Sequence, residues 1–298
     1  MGPIDSFKLA LIVVSGVAVA ASFVEAVFLW RLGRPYDWRE AGASLAVAMG
    51  REFMNLVPLA IALPGGFWLY EHRVWSAPLN TPWGWVLLFL GVEFFYYWFH
   101  RGAHRIRWFW ATHAVHHSSN SLNFSAAYRL GWTGRITGTL LFFLPLTQLG
   151  FPPRAIAAAF TINLLYQFWI HADWIPKLGP LEGILNTPSA HRVHHAANLE
   201  YLDANYGGIL MVFDRLFGTY VPERAENPCR YGLVAPLRSY NPLRIAFFLW
   251  MDVVRDLRRA RSPREFAGYL FGPPGWAPGG NGLTTADMRR RARITRAG

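Results

Sequence analysis

The sequence predicts an all-α integral membrane protein with about four to five transmembrane helices, two of them a hairpin, and a cytoplasmic helical cap. Three observations predict it. The 298 residues are 53% hydrophobic and 16% aromatic but only 16% charged, with a mean hydropathy of +0.17, too apolar for an ordinary soluble domain. Several apolar runs approach or exceed the length that crosses a bilayer. Fourteen Trp and twelve Tyr suit interfacial aromatic belts.

The net charge of +11 is nearly all arginine, since Lys8 and Lys177 are the only lysines. With these apolar runs, the basic balance fits an anionic bilayer face and not a nucleic-acid surface. The single cysteine, Cys229, excludes an intramolecular disulfide and argues against a thiolate metal site.

Residues 8–30 form the first expected span, with Glu25 expected to face the headgroups near its end. The opening M-G-x-x-x-S matches the myristoylation pattern, although Pro3 weakens the match. Residues 43–70 form a second span, softened by Pro58, Pro64, Gly65 and Gly66, and residues 83–100 a third. Residues 137–150 and 154–171 pair as the hairpin around the Gly150-Phe151-Pro152-Pro153 turn. Arginines 31, 34 and 39 after the first span and 101, 105 and 107 after the third outnumber Arg73 after the second. The positive-inside rule then places the N-terminus outside and the segments after the third span in the cytoplasm. Residues 243–259 are amphipathic, which suits a membrane interface and a cytoplasmic core equally. Residues 1–260 make one membrane domain; residues 261–298 make a Pro/Gly-rich tail, expected to be poorly ordered, with a basic end at 289–293 near anionic lipid.

Nine of the ten histidines are clustered. His100 and His104 lie at i, i+4 on the third span, one turn apart on one face. His113, His116 and His117 follow at i, i+3, i+4; His191, His194 and His195 repeat that spacing, after Thr187-Pro188 as N-cap and N1 of a short helix. His171 ends the hairpin, so all nine reach the cytoplasmic face, and His72 lies on the other. Nine imidazoles exceed one ion's coordination sphere, and two ions with four or five histidines each would keep open positions. The chain lacks H-E-x-x-H and paired E-x-x-H, which excludes the common zinc-protease and carboxylate-bridged di-iron arrangements. A histidine-box di-metal site on the cap therefore completes the expected fold class. It points to iron and dioxygen chemistry on a lipid, since zinc has no redox role.

The boxes HRGAH (100–104), HAVHH (113–117) and HRVHH (191–195), with His171, resemble those of the fatty acid hydroxylase / sterol desaturase superfamily. Residues 92–129 and 166–223 resemble most its alkylglycerol monooxygenase-like branch, bacterial type, and FGPPGW at 271–276 is similar to bacterial members. Ala190 stands where that branch often has a further histidine, and Gln167 stands where fatty acid 2-hydroxylase relatives have one. The resemblance implies two iron ions held by His100, His104, His113, His116, His117, His171, His191, His194 and His195, with Gln167 nearby. Glu93, Asp173 and Asn205 are candidates to support the ligands through hydrogen bonds. Asn186 reads as a turn residue, Asp214-Arg215 as an ion pair or cap, and Arg101 and Arg129 as facing anionic lipid.

The expected activity is hydroxylation of an unactivated lipid C–H bond by O₂, with electrons from an external donor. The resemblance to the ether-lipid branch implies hydroxylation beside the ether oxygen, collapse to a fatty aldehyde, and tetrahydrobiopterin as reductant. A sterol, carotenoid or fatty-acyl hydroxylase or desaturase is the alternative within the superfamily. A membrane metal-binding or transport protein is the alternative outside it, disfavoured because the histidines sit at span ends and not at the midplane. The expected place is a bacterial inner membrane, with the site on the cytoplasmic side and no nucleic-acid partner.

Overall fold

The structure, a computed structural model, describes residues 3–55 and 62–297, so the myristoylation pattern at the first two residues lies outside it. The main helices are α1 (Pro3–Arg31), α2 (Trp38–Asn55), α3 (Ala62–Glu71), α4 (Pro82–Arg105), α5 (Arg107–His117), α6 (Pro153–Ile170), α7 (Pro188–His194), α8 (Pro242–Leu257), α9 (Pro263–Phe271) and α10 (Thr285–Ala297). Among the described residues no β-sheet forms, only isolated bridges such as Leu185 with Leu210.

Local chemistry sets these boundaries. The Thr81 hydroxyl accepts from the Gly84 N–H at 3.3 Å, with Pro82 at the first helical position of α4. Ile106 is extended and breaks α4 from α5, so the chain turns between the first two histidine boxes. Asn241 caps α8 by accepting from the Leu243 and Arg244 N–H groups.

One described helical stretch, Val13–Arg31 of α1, is long and apolar enough to cross a membrane by length and composition. The second predicted span, 43–70, takes in part of α2, most of α3 and residues 56–61, which lie outside the described ones. α2 carries Arg39, Glu40, Arg51 and Glu52, a charge load unsuited to a lipid-embedded span. The first arm of the predicted hairpin is short helical pieces, because Gly138 is left-handed at φ 86° and Pro145 follows. The turn at Gly150 is present: φ is 99°, and a Cβ there would lie 2.1 Å from the Trp75 carbonyl oxygen. Beyond it α6 packs on α4, burying Leu88, Val92, Tyr96, Phe143, Leu146, Phe151 and Ile156 together.

Three further expectations change, and one open choice is resolved. Glu25 is buried and accepts from the Phe124 N–H and the Trp174 indole, both at 2.8 Å; these two donors draw it inward from the headgroups. Arg129 does not face lipid: it is fully buried and ion-paired with Glu40. The tail is ordered as α9 and α10, and Arg289 donates to the carbonyls of Leu199 and Leu202. The apolar face of α8 packs on the core, with Ile245 buried against Ala43, Val47 and Val115.

Candidate metal centre

The histidine boxes converge from four places. α4 supplies His100 and His104, α5 supplies His113, His116 and His117, the end of α6 supplies His171, and α7 with its C-cap supplies His191, His194 and His195. The Thr187 hydroxyl accepts from the Ala190 N–H and Pro188 occupies the first turn, so the expected short helix forms. At one turn per four residues, each helix sets its imidazoles on a single inward face.

Two groups result. His100, His104, His113, His117 and His194 form one, and His116, His171, His191 and His195 the other; within each, one ring nitrogen per residue lies within 4.8 Å of the rest. The groups share a wall, where the His117 and His195 rings stack at 4.4 Å between centroids. His72 belongs to neither group and stacks on Trp68.

The nitrogens approach one another closely. In the first group Nε2 of His113 lies 3.0 Å from that of His100 and 3.1 Å from that of His117. In the second, His171 Nε2 lies 3.1 Å from His116 Nε2 and 3.0 Å from His191 Nε2, and His191 lies 3.1 Å from His195. Two imidazoles bound about 2.1 Å from one ion at right angles would place their nitrogens about 3.0 Å apart; a tetrahedral angle would give about 3.4 Å. These pairs are therefore spaced as imidazoles that share one metal ion can be.

Ring orientation supports the same fit. Nδ1 of His100, His171 and His194 donates to the carbonyls of Tyr206 (2.9 Å), Gln167 (2.6 Å) and Ala204 (3.0 Å). With Nδ1 protonated, each Nε2 keeps its lone pair for a metal. The buried Nε2 atoms of His104 and His194 have no hydrogen-bond partner among the described residues, a costly state that a metal ion would relieve. Burial pushes the pKa of His116 down to about 4 and that of His194 to about 3, and holds His113, His117, His191 and His195 well below the ordinary range. The imidazoles are thus neutral, the ligating form, at physiological pH.

A polar frame holds the cages. Glu93 on α4 accepts from the Ile209 and Leu210 N–H groups and from Asn163 on α6. Asn163 accepts from Gln167, whose side chain also accepts from Tyr96. Gly208 is required there, since a Cβ would meet the Asn163 amide at 2.0 Å. Asn205, at φ 58°, donates to the carbonyls of Ala190 and Val221 and accepts from the Val221 N–H, bracing α7 from behind. Asp173, by contrast, pairs with Arg34 at 3.1 Å and makes no hydrogen bond to a histidine, because its place after α6 points it outward.

Several framing residues were misread or missed. Asn186 is a buried brace, not a turn residue, donating to the Gly207 and Gly208 carbonyls. Asp214 is a buried acceptor for the N–H groups of Tyr206 and Gly207 and the Thr219 hydroxyl, not an ion pair with Arg215. Arg192, inside the last box, makes two hydrogen bonds to Glu223 and two more to the carbonyls of Ala172 and Ile175. The Gly207-Gly208 pair was the one local signal for this frame.

With this geometry, residues 85–219 match the family profile described as "Fatty acid hydroxylase". Over that stretch, which includes all nine clustered histidines, the chain is similar to the fatty acid hydroxylase family. It is 37% identical to human alkylglycerol monooxygenase over 264 residues, covering 88% of this chain and 58% of that protein. It is 36% identical to the Xenopus tropicalis alkylglycerol monooxygenase, covering 84% of this chain and 55% of that protein. It is 30% identical to the ornithine lipid hydroxylase OlsE of Rhizobium tropici, covering 61% and 54% respectively. The chain thus spans little more than half the length of these curated relatives. No solved structure matches it.

Proposed function

We propose that this chain is a membrane oxygenase that hydroxylates a lipid C–H bond with O₂, using two iron ions held by the nine clustered histidines and electrons from an external donor. The observation that carries this reading is the pair of adjoining all-imidazole groups with Nε2 atoms 3.0–3.1 Å apart. When bound, the irons supply O₂ activation and hydrogen abstraction. The chain's residues fix the ligand geometry, hold the imidazoles neutral and exclude water from the reacting carbon.

Resemblance to the alkylglycerol monooxygenases favours an alkylglycerol ether lipid as substrate and a tetrahydropterin as reductant. Hydroxylation beside the ether oxygen would yield a hemiacetal that collapses to a fatty aldehyde and a glycerol derivative. The match to an ornithine lipid hydroxylase supports a second reading, hydroxylation without cleavage of an amino-acyl lipid.

We place the chain in a bacterial inner membrane with the histidines on the cytoplasmic side. The arginine asymmetry supports that orientation. α1 is a full span, and α4 and α6 are assigned to the bilayer because Trp83, Leu87, Leu90, Ile162 and Leu165 expose large apolar side chains.

The test is product analysis. Iron-loaded membranes would be given a tetrahydropterin and an alkylglycerol, with the His194→Ala/His195→Ala variant as control. Fatty aldehyde formed only by the intact chain supports the ether-lipid reading. Its absence from iron-loaded enzyme overturns that reading, and hydroxylated ornithine lipid in a parallel assay would replace it.

A further inference from the structure

The outward face of α8 remains without a role in the reading above. Its inward face is buried through Ile245, Ala246 and Val253, and Trp250 between the faces donates its indole N–H to the Thr133 hydroxyl at 3.0 Å. Asp256 is taken up by Arg107. The outward positions 243, 247, 251, 254 and 258 follow one another at helical spacing. Leu243, Met251 and Val254 there are 60%, 53% and 45% exposed. A groove of about 600 Å³ runs along this face, lined by Phe247, Met251 and Val254 and rimmed by Arg255, Arg258 and Arg259.

An apolar floor with a cationic rim on one helix matches a phospholipid: acyl chain against the floor, phosphate against the rim. Residues 244–264 hold six arginines against two aspartates. Arg255 is paired with Asp252, but Arg258 and Arg259, both exposed, make no ion pair among the described residues and present their guanidinium donors to solvent. α8 packs on α5, which carries the second histidine box, so this face belongs to the histidine-bearing side of the molecule. α2 also packs on α8 and exposes Leu45, Met49 and Phe53 at i, i+4, i+8, extending the apolar surface.

We propose that the outward face of α8 is a docking surface for anionic phospholipid, with Arg258 and Arg259 binding the headgroup phosphate. This seats the cap on the bilayer beside the metal centre. It rests on the membrane reading above but not on any substrate. The membrane reading makes α1 a span by length and composition, so failure to enter nanodiscs would count against that reading and not against this surface.

The experiment uses the full chain in nanodiscs of mixed phosphatidylcholine and phosphatidylglycerol, with a fluorophore on Met251→Cys. The substitution Cys229→Ser removes the natural thiol, so Met251→Cys is the single labelling site. Brominated phosphatidylglycerol should quench the label more than brominated phosphatidylcholine does. That preference should fall about fivefold per arginine removed in Arg258→Gln and Arg258→Gln/Arg259→Gln, with iron content unchanged. Equal quenching by both lipids, or a preference indifferent to the substitutions, overturns the proposal. So does inorganic phosphate reproducing the label's response in neutral discs, which would mark a soluble-anion site. A response that follows protein concentration in either lipid overturns it too, because a second copy would then cover the face.

Discussion

Glu93 and Asn163 meet at 2.5 Å between α4 and α6, and both are buried. Glu93 also takes the N–H groups of Ile209 and Leu210, while Asn163 leads through Gln167 to the carbonyl that holds His171. One carboxylate thus ties the loop after α7 to a histidine in the second cage. Glu93→Gln keeps the size but loses an acceptor and the charge. Expected is a roughly ten- to hundredfold weaker hold on metal, as for other hydrogen-bond supports of ligands. Competition with a chelator, read as iron per chain, checks this; retention equal to wild type would reduce Glu93 to a packing role.

The two cages predict a divisible metal content. His171→Ala removes a member of the four-histidine group and leaves the five-histidine group whole. Iron per chain should drop from about two toward about one, with a lower unfolding temperature because metal binding is linked to folding. His72→Ala should change neither, since His72 belongs to neither group and stacks on Trp68. Equal loss in both variants would sink the assignment of two sites.

The grouping of the histidines was legible because helical spacing alone brings i, i+3 and i+4 onto one face, as α5 and α7 show. The N-cap at Thr187 was legible for the same local reason. The frame was not. Asn163 meets Glu93 across 70 positions, and Gly208 is needed only because α6 approaches it, so neither contact leaves a local pattern. Composition misled over 262–298, where Pro and Gly content concealed two helices with ordinary caps such as Ser262, and averaging over 43–70 hid Arg51 and Glu52 of α2.

Arg129 and Glu40 form a second long-range support, behind the end of α5. The Arg129 guanidinium donates to Glu40 at 2.5 Å and to the Ser118 hydroxyl at 3.1 Å, and Ser118 directly follows His117. Arg129→Met alone leaves a buried carboxylate with only Asn120 as side-chain donor, and should cost about 3–5 kcal/mol. Pairing it with Glu40→Leu should recover most of that loss, because the buried charge is gone. Denaturation of the two single variants and the double variant measures the cycle; simple additivity would show that the pair is not coupled.

Glu223 gives a pH-dependent version of the same support. Burial alone would raise its carboxyl pKa, but the hydrogen bonds and charge of Arg192 and the Ser189 hydroxyl outweigh it and hold the group below the ordinary glutamate range. A carboxylate with a depressed folded-state pKa adds stability above its unfolded pKa, and that stability is lost as pH falls through the folded value. Wild type should therefore exceed Glu223→Gln by a constant margin of about 1–3 kcal/mol at pH 6–8. The margin should shrink below about pH 4.5 as Glu223 protonates and releases Arg192. Because Arg192 sits between His191 and Val193 on α7, the loosened helix should also lose iron faster to a chelator at pH 7 in the variant. Paired unfolding curves across pH test the first part, and chelation rates at pH 7 the second. A margin that stays level down to pH 3 would mean the Arg192 contact is indifferent to the carboxylate's charge, and the ion pair would then contribute only packing.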